Sequence, residues 1–305
     1  MGSTIEKLTD LGLIRPEERW LPHNTMYETI MGSVAYGVSS DTSDMDVYGW
    51  CIPPKDIVFP HLAGEIDGFG TPRERFYQFQ QHHVKSPDEL GGKGREYDLD
   101  IYNIVKFFQM GMDNNPHIID SLFTPQECVL HCTQVGSMVR ENRRIFLHKG
   151  VWHTYKDYAI SQLHKMRTKK PEGKRKELRE KFGFDVKFAY NVVRLLDECE
   201  QILLNGEIDL RRNREQLKAI RRGDMSEEEI RRWASDKELQ LERIYTSDKC
   251  AVPAAPDEGK IKKLLLSCLE HHYGDLSSAI IEPGIADQTI SEIRELVIKY
   301  ERLKG

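Results

Sequence analysis

The sequence predicts an α+β protein, a mixed sheet with flanking helices in the first half and a helical second half. Three observations carry that prediction. Runs with the period-two alternation of half-buried strands are confined to the region before residue 103. After about residue 135 the strand signals fade and apolar residues recur at helical spacing. The chain has 305 residues, 39% hydrophobic and 30% charged, an ordinary globular balance with enough length for one large core or two modest ones.

Taken in order, TMYETIM at 25–31 reads as a strand ending in the Gly32-Ser33 turn, and DVYGWCIP at 46–53 as a second strand stopped by Pro53-Pro54. RFYQFQQHHV at 75–84 alternates aromatic and polar residues, GGKG at 91–94 is a flexible loop, and EYDLDIY at 96–102 alternates again. A helix begins near Asn103, with Ile104, Val105, Phe107, Phe108 and Met110 at helical spacing, and Asn114-Asn115-Pro116 stops it. Further helices are expected over 157–167, 185–204, 261–271 and 291–304. The 185–204 helix shows an apolar stripe of Val186, Ala189, Val193 and Leu196, with Gly206 as its stop signal. Ser226 followed by Glu229 is a capping box that opens another helix, and AVPAAP at 251–256 is a linker.

Composition excludes several classes. No apolar run approaches the roughly 18 residues of a membrane span, and MGSTIEKLTD lacks the basic-then-apolar pattern of an export signal, so a cytoplasmic protein is expected. A net charge of -5 argues against a generic nucleic-acid coat, although the stretch from Lys165 to Lys181 is locally basic. The six cysteines form no C-x-x-C pair; Cys128, His131 and Cys132 are close in sequence but lack a second ligand pair, so reduced thiols are expected. His82 and His83, on a regular strand, face opposite sides and cannot both reach one ion. Tyr36, Tyr48 and Trp50 are expected in the core.

The chemistry-bearing residues lie around the Gly-Ser turn. Asp44 and Asp46 open a strand one residue apart, so their carboxylates share a face while Met45 and Val47 take the other. Two like charges held together call for a cation, and Mg²⁺ (or Mn²⁺) suits carboxylate and phosphate oxygens. Glu96, Asp98 and Asp100 share one face of the later strand, and any of them completes such a site. Gly32 permits close backbone approach to a phosphate, and Ser33 adds a hydroxyl and an amide. Lys187, Asn191 and Arg194, spaced four and three apart, make a polar stripe suited to triphosphate oxygens if it faces a cleft.

This order of segments resembles the polymerase-β-type nucleotidyltransferases. GSVAYGVSSDTSDMDVYGWCIPP is similar to the bacterial and phage RNA-ligase-associated family, in which GS-x-x-Y-G precedes S-D-x-D-x-x-G. IYNIVKFFQMGMDNNPHIIDSLF, YAISQLHKMR and KFAYNVVRLLDECEQILLNGEIDL resemble later segments of the same family, so the likeness runs from about residue 25 to about residue 225. The resemblance implies a catalytic domain at 1–148 and a helical domain at 149–305 closing the nucleotide cleft. It implies phosphate binding by Gly32 and Ser33, metal binding by Asp44 and Asp46, and a third carboxylate at Asp98, with Asp100 as the fallback. Asn191 departs from the pattern, since the family often places histidine there. The implied reaction moves a nucleoside monophosphate from a nucleoside triphosphate to an acceptor hydroxyl, an RNA end being favoured. Transfer to a protein hydroxyl, or an inactive nucleotide- or RNA-sensing module, are the alternatives.

Overall fold

The computed structural model describes residues 2–39, 44–58, 75–170 and 174–274, together with Ile293, Leu296 and Tyr300. Five strands, β1 (Thr25–Ile30), β2 (Met45–Cys51), β3 (Gln78–Ser86), β4 (Arg95–Asn103) and β5 (Val129–Cys132), form one sheet in the order β3-β4-β2-β1-β5. β1 runs antiparallel to β2 and β5, β3 antiparallel to β4, and β2 parallel to β4. Around and between the strands lie α1 (Thr4–Asp10), α2 (Leu21–Asn24), α3 (Gly32–Ala35), α4 (Lys55–Val58), α5 (Ile104–Met112), α6 (Pro116–Phe123) and α7 (Gln134–Glu141). The helical part comprises α8 (Val151–Thr168), α9 (Lys174–Phe182), α10 (Val186–Asn205), α11 (Arg214–Arg222), α12 (Glu227–Thr246) and α13 (Glu258–Tyr273). The class is α+β with a mixed sheet, as the sequence predicts.

Local chemistry explains where the elements begin. The Asn103 side chain accepts from Val105 N at 2.8 Å and caps α5. Asn114-Asn115-Pro116 does more than stop a helix: the Asn115 side chain accepts from His117 N at 3.1 Å, and Pro116 takes the first turn of α6. Asp185 caps α10 through Lys187 N at 3.0 Å, and Gly206 ends it. The Ser226–Glu229 capping box opens α12. β5 has no counterpart in the sequence reading; it is a four-residue edge strand held against β1. The helix expected over 291–304 lies outside the described residues except at Ile293, Leu296 and Tyr300, which are helical.

The core of the sheet is Tyr27, Val47, Trp50, Leu99 and Ile101, each fully buried, with Phe107 of α5 against Trp50. The Tyr27 hydroxyl donates to Ser121 O at 2.9 Å and ties β1 to α6. α10 is buried on nearly all sides between α8, α11 and α12. That burial explains its charged residues: Asp197 and Glu200 are paired with Arg212, and Glu200 also with Lys237 at 2.5 Å.

Contacts within the chain group its residues into two compact units. Residues 1–52 and 77–271 form one compact unit, so the strands and α8 to α12 share it. Residues 53–76 and 272–305 form the other, in which the Tyr273 hydroxyl donates to Pro53 O and the Lys55 ammonium lies 5.6 Å from the Tyr273 ring. Among the described residues no helix is long and apolar enough to cross a membrane.

Candidate active site

The Gly-Ser turn, which follows β1, and the aspartates, which open β2, meet at one end of the central strands of the sheet. Asp44 is exposed and immediately precedes β2; Asp46, half-buried, is the second residue of β2, while Met45 and Val47 are buried on the other face. The parallel pairing of β2 with β4 sets Asp46 beside Asp98 in register. Asp100 stands opposite Tyr48, is buried, and takes the side-chain amide of Gln80. The register therefore separates the three acidic residues of β4 that alternation alone left equivalent.

Gly32 lies against the same carboxylate. Its φ is +63°, and a Cβ there would stand 2.0 Å from Asp46 Oδ2, so no other residue fits without displacing Asp46. Met31 N donates to Asp46 O at 2.7 Å, fastening the turn to β2. Ser33 follows in the first turn of α3, where backbone N–H groups have no partner within the helix.

Burial pushes the Asp46 carboxyl up from its ordinary 3.8 to about 6. Lys187, exposed near the start of α10, pulls it back down, while Asp98, Asp44 and Asp100 push it further up. Lys187 is thus close enough for its charge to act on Asp46. Asn191 is half-buried and donates to Gln162 Oε1 at 3.3 Å.

Arg194 does not continue that stripe, which corrects the sequence expectation. It is 4% exposed and donates to Asp120 Oδ2 at 2.5 Å and to Glu198 Oε2 at 2.8 Å. Its guanidinium lies 4.6 Å from the Tyr36 ring centre, and the Tyr36 hydroxyl donates to Asp120 Oδ2 at 2.8 Å. Burial drives the Asp120 and Glu198 carboxyls upward, so the trio is neutral when one of them keeps its proton. Arg194 is therefore committed to a buried ionic centre and is not available to a nucleotide.

That centre belongs to a set of contacts by which three arginines from the helical part hold the turn after Ser33. Besides Arg194 on Tyr36, Arg211 Nε donates to Ala35 O at 3.2 Å and an Arg221 guanidinium nitrogen to Val38 O at 2.6 Å. Sequence reasoning missed Arg211 and Arg221, because a side chain bonding a distant backbone carbonyl leaves no local pattern.

The histidines are a second correction. The β3–β4 register shifts between Gln81 and Val84, and His83 has φ +57°, so this strand is not regular. Both histidines consequently turn toward β4. His83 N donates to Asp98 Oδ1 at 2.8 Å, His83 Nδ1 lies 2.5 Å from Glu96 Oε1, and His82 Nδ1 lies 3.7 Å from Asp98 Oδ1. Hydrogen bonding to Glu96 holds the His83 imidazole above its ordinary pKa. His83, Glu96 and Asp98 bring ligand atoms within 4.8 Å of one another.

Tyr36 and Trp50 are buried as expected; Tyr48 stacks on His117 at 5.9 Å. Burial, then the Arg194 charge, push the His117 imidazole down to about 4. Cys128 is buried and Cys132 exposed, and both are free thiols.

Residues 9–249 match the RNA repair pathway DNA polymerase beta family, most of the chain's length. The chain belongs to that family. Membership points to nucleotidyl transfer at the family level, and polymerase-β-like nucleotidyltransferases typically use divalent metals. The chain is also 26% identical, over 146 residues, to an uncharacterized 38.9 kDa protein in the nrdC-mobD intergenic region of Enterobacteria phage T4. That match takes in 46% of this chain and 38% of the phage protein.

Proposed function

We propose that this member of the polymerase beta family transfers a nucleoside monophosphate from a nucleoside triphosphate to the hydroxyl of an RNA end and releases pyrophosphate. The observation that carries the reading is the meeting of Asp46 with Asp98 across parallel strands, with Asp44 adjacent and Gly32 packed on the Asp46 carboxylate.

The chemistry of Asp44, Asp46 and Asp98 suits a hard divalent cation such as Mg²⁺ or Mn²⁺, while among the described residues the ligand atoms already within 4.8 Å of one another are those of His83, Glu96 and Asp98. The donor set of Asp44, Asp46 and Asp98 is all oxygen, and mutual repulsion already opposes ionisation of Asp46. Bound there, the cation would supply charge neutralisation at the reacting phosphate. The turn at Gly32 and Ser33 would offer triphosphate oxygens a backbone with no Cβ in the way, an amide without a partner among the described residues, and a hydroxyl. Lys187, whose charge lowers the Asp46 pKa, would add a positive charge for the triphosphate, and Asn191 stands one turn further along α10. Asp98, which accepts from His83 N at 2.8 Å, would orient or deprotonate the acceptor hydroxyl as it attacks the α-phosphorus. Catalysis of this kind is mainly positioning and charge compensation. The helices after residue 149 act in this reading as the second wall of the nucleotide cleft.

The test is transfer of label from each α-labelled triphosphate, with Mg²⁺, to RNA, to cell protein or to small metabolites. Asp44→Ala/Asp46→Ala is run alongside. Label on RNA that disappears in the double variant is expected. Label that survives it refutes the metal site, label on protein alone redirects the reading to protein modification, and nucleotide binding without transfer indicates a sensor.

A further inference from the structure

Beside Asp44 opens a groove of about 1090 Å³, at the upper limit of small-molecule sites, which run to about 1,000 Å³. Its catalytic end carries Asp44 and Glu96. Its lining also includes the basic residues Lys85, Lys93 and Arg95 and the apolar residues Val34, Met45 and Leu90. Neither Lys187 nor Gly32 lines it, while Ile30 and Val34, on either side of the Gly32-Ser33 turn, do, so the groove adjoins the turn without including those two residues.

The positive charge in that lining stands out in a chain of net charge -5. Lys85 and Lys93 are exposed, and among the described residues no carboxylate pairs with either; Arg95 lies 3.7 Å from Glu89. Leu90 is 45% exposed, an apolar side chain left facing solvent at φ +55°. Phosphates attract the free lysines, and the flat face of a base covers apolar surface of this kind.

The basic stretch from Lys165 to Lys181 is less suited to the same role. Arg167 is paired with Glu227 at 2.8 Å and Arg175 with Asp185 at 2.6 Å, while Arg179 donates to the carbonyls of Lys169 and Arg167. Its guanidiniums fasten α8, α9, α10 and α12 together.

We infer that the groove seats the terminal nucleotides of a single-stranded RNA acceptor. Lys85 and Lys93 hold backbone phosphates, Leu90 lies under a base, and the terminal hydroxyl reaches the acidic end at Asp44. The inference rests on the nucleotidyl-transfer reading and names the acceptor side of that site.

The probe is a short 5′-fluorescein oligoribonucleotide, followed by anisotropy with the full chain over a range of salt. Lys85→Glu/Lys93→Glu weakens binding by about tenfold or more, and Lys85→Gln/Lys93→Gln lowers the salt slope by about 1.4, roughly 0.7 per lost phosphate contact on a single strand. Lys170→Glu/Lys176→Glu, in the other basic stretch, leaves affinity within about twofold of wild type in the same assay. Wild-type affinity in the groove variants, a loss confined to Lys170→Glu/Lys176→Glu, or no RNA binding by the wild type overturns the inference. A fluorescent triphosphate still bound by the groove variants shows that they are folded. Label transfer to RNA that needs Asp44 and Asp46 but ignores both groove substitutions sinks the groove alone; transfer indifferent to the aspartates sinks the parent reading instead.

Discussion

Replacing Asp46 with asparagine should stabilise the metal-free protein while removing its activity. Burial and three neighbouring carboxylates raise the Asp46 pKa from 3.8 to about 6. At 1.36 kcal/mol per pKa unit, keeping it ionised at pH 7.5 costs roughly 3 kcal/mol, an upper bound because the side chain is half-buried. The sign is set by the folded state binding the proton more tightly than the unfolded chain. The penalty is complete above about pH 6 and vanishes below 3.8, so stability recovers as pH falls through this window. An asparagine in its place would carry no charge and would escape the penalty. For a unit of this size the gain is a Tm higher by about 5–10 °C at pH 7.5. Calorimetry in EDTA at pH 7.5, 6 and 4.5 measures it: the advantage of Asp46→Asn should be largest at 7.5 and shrink toward 4.5. Mg²⁺ should then raise the Tm of the wild type and leave the variant unmoved. An Asp46→Asn protein no more stable than wild type at pH 7.5, or an advantage that does not change with pH, would refute the electrostatic account of this site.

Other substitutions test neighbouring parts of the same structure. Gly32→Ala places a methyl 2.0 Å from Asp46 Oδ2 at a positive φ, and should cost about 1–2 kcal/mol in urea unfolding and abolish label transfer. Lys187→Gln removes the cation that lowers the Asp46 pKa, so the acidic limb of the pH–rate profile should move to higher pH, with the rate partly recovered in alkaline buffer. An unmoved limb would remove Lys187 from the site. Arg194→Ala strips the buried Asp120 and Glu198 of their shared cation and should cost about 3–5 kcal/mol in chemical denaturation. A change below about 1 kcal/mol would place that arginine outside the fold's ionic core.

Much of the architecture was legible because strands and helices announce themselves locally. The alternation in EYDLDIY and the capping residues Asn103, Asp185 and Ser226 act within a few residues of themselves. What could not be read depends on distant partners. Glu96, Asp98 and Asp100 are equivalent by alternation, and only the parallel register with β2 sets Asp98 beside Asp46. Arg194 has the spacing of a polar stripe, yet Asp120, 74 residues away, draws it into the interior. His82-His83 were expected on opposite faces because alternation assumes a regular strand; a bulge without glycine breaks it. β5 is too short for any periodicity to register.

The central claim is that Asp46 and Asp98, joined by the β2–β4 register, form the transfer site. Single-turnover transfer of α-label to an RNA end by Asp98→Asn and Asp100→Asn, measured side by side, tests it most directly. The account predicts loss of at least about a hundredfold in Asp98→Asn, since removing one charge-compensating group commonly costs that much, with Asp100→Asn retaining most of the rate. Full activity in Asp98→Asn, or loss in Asp100→Asn alone, would contradict it.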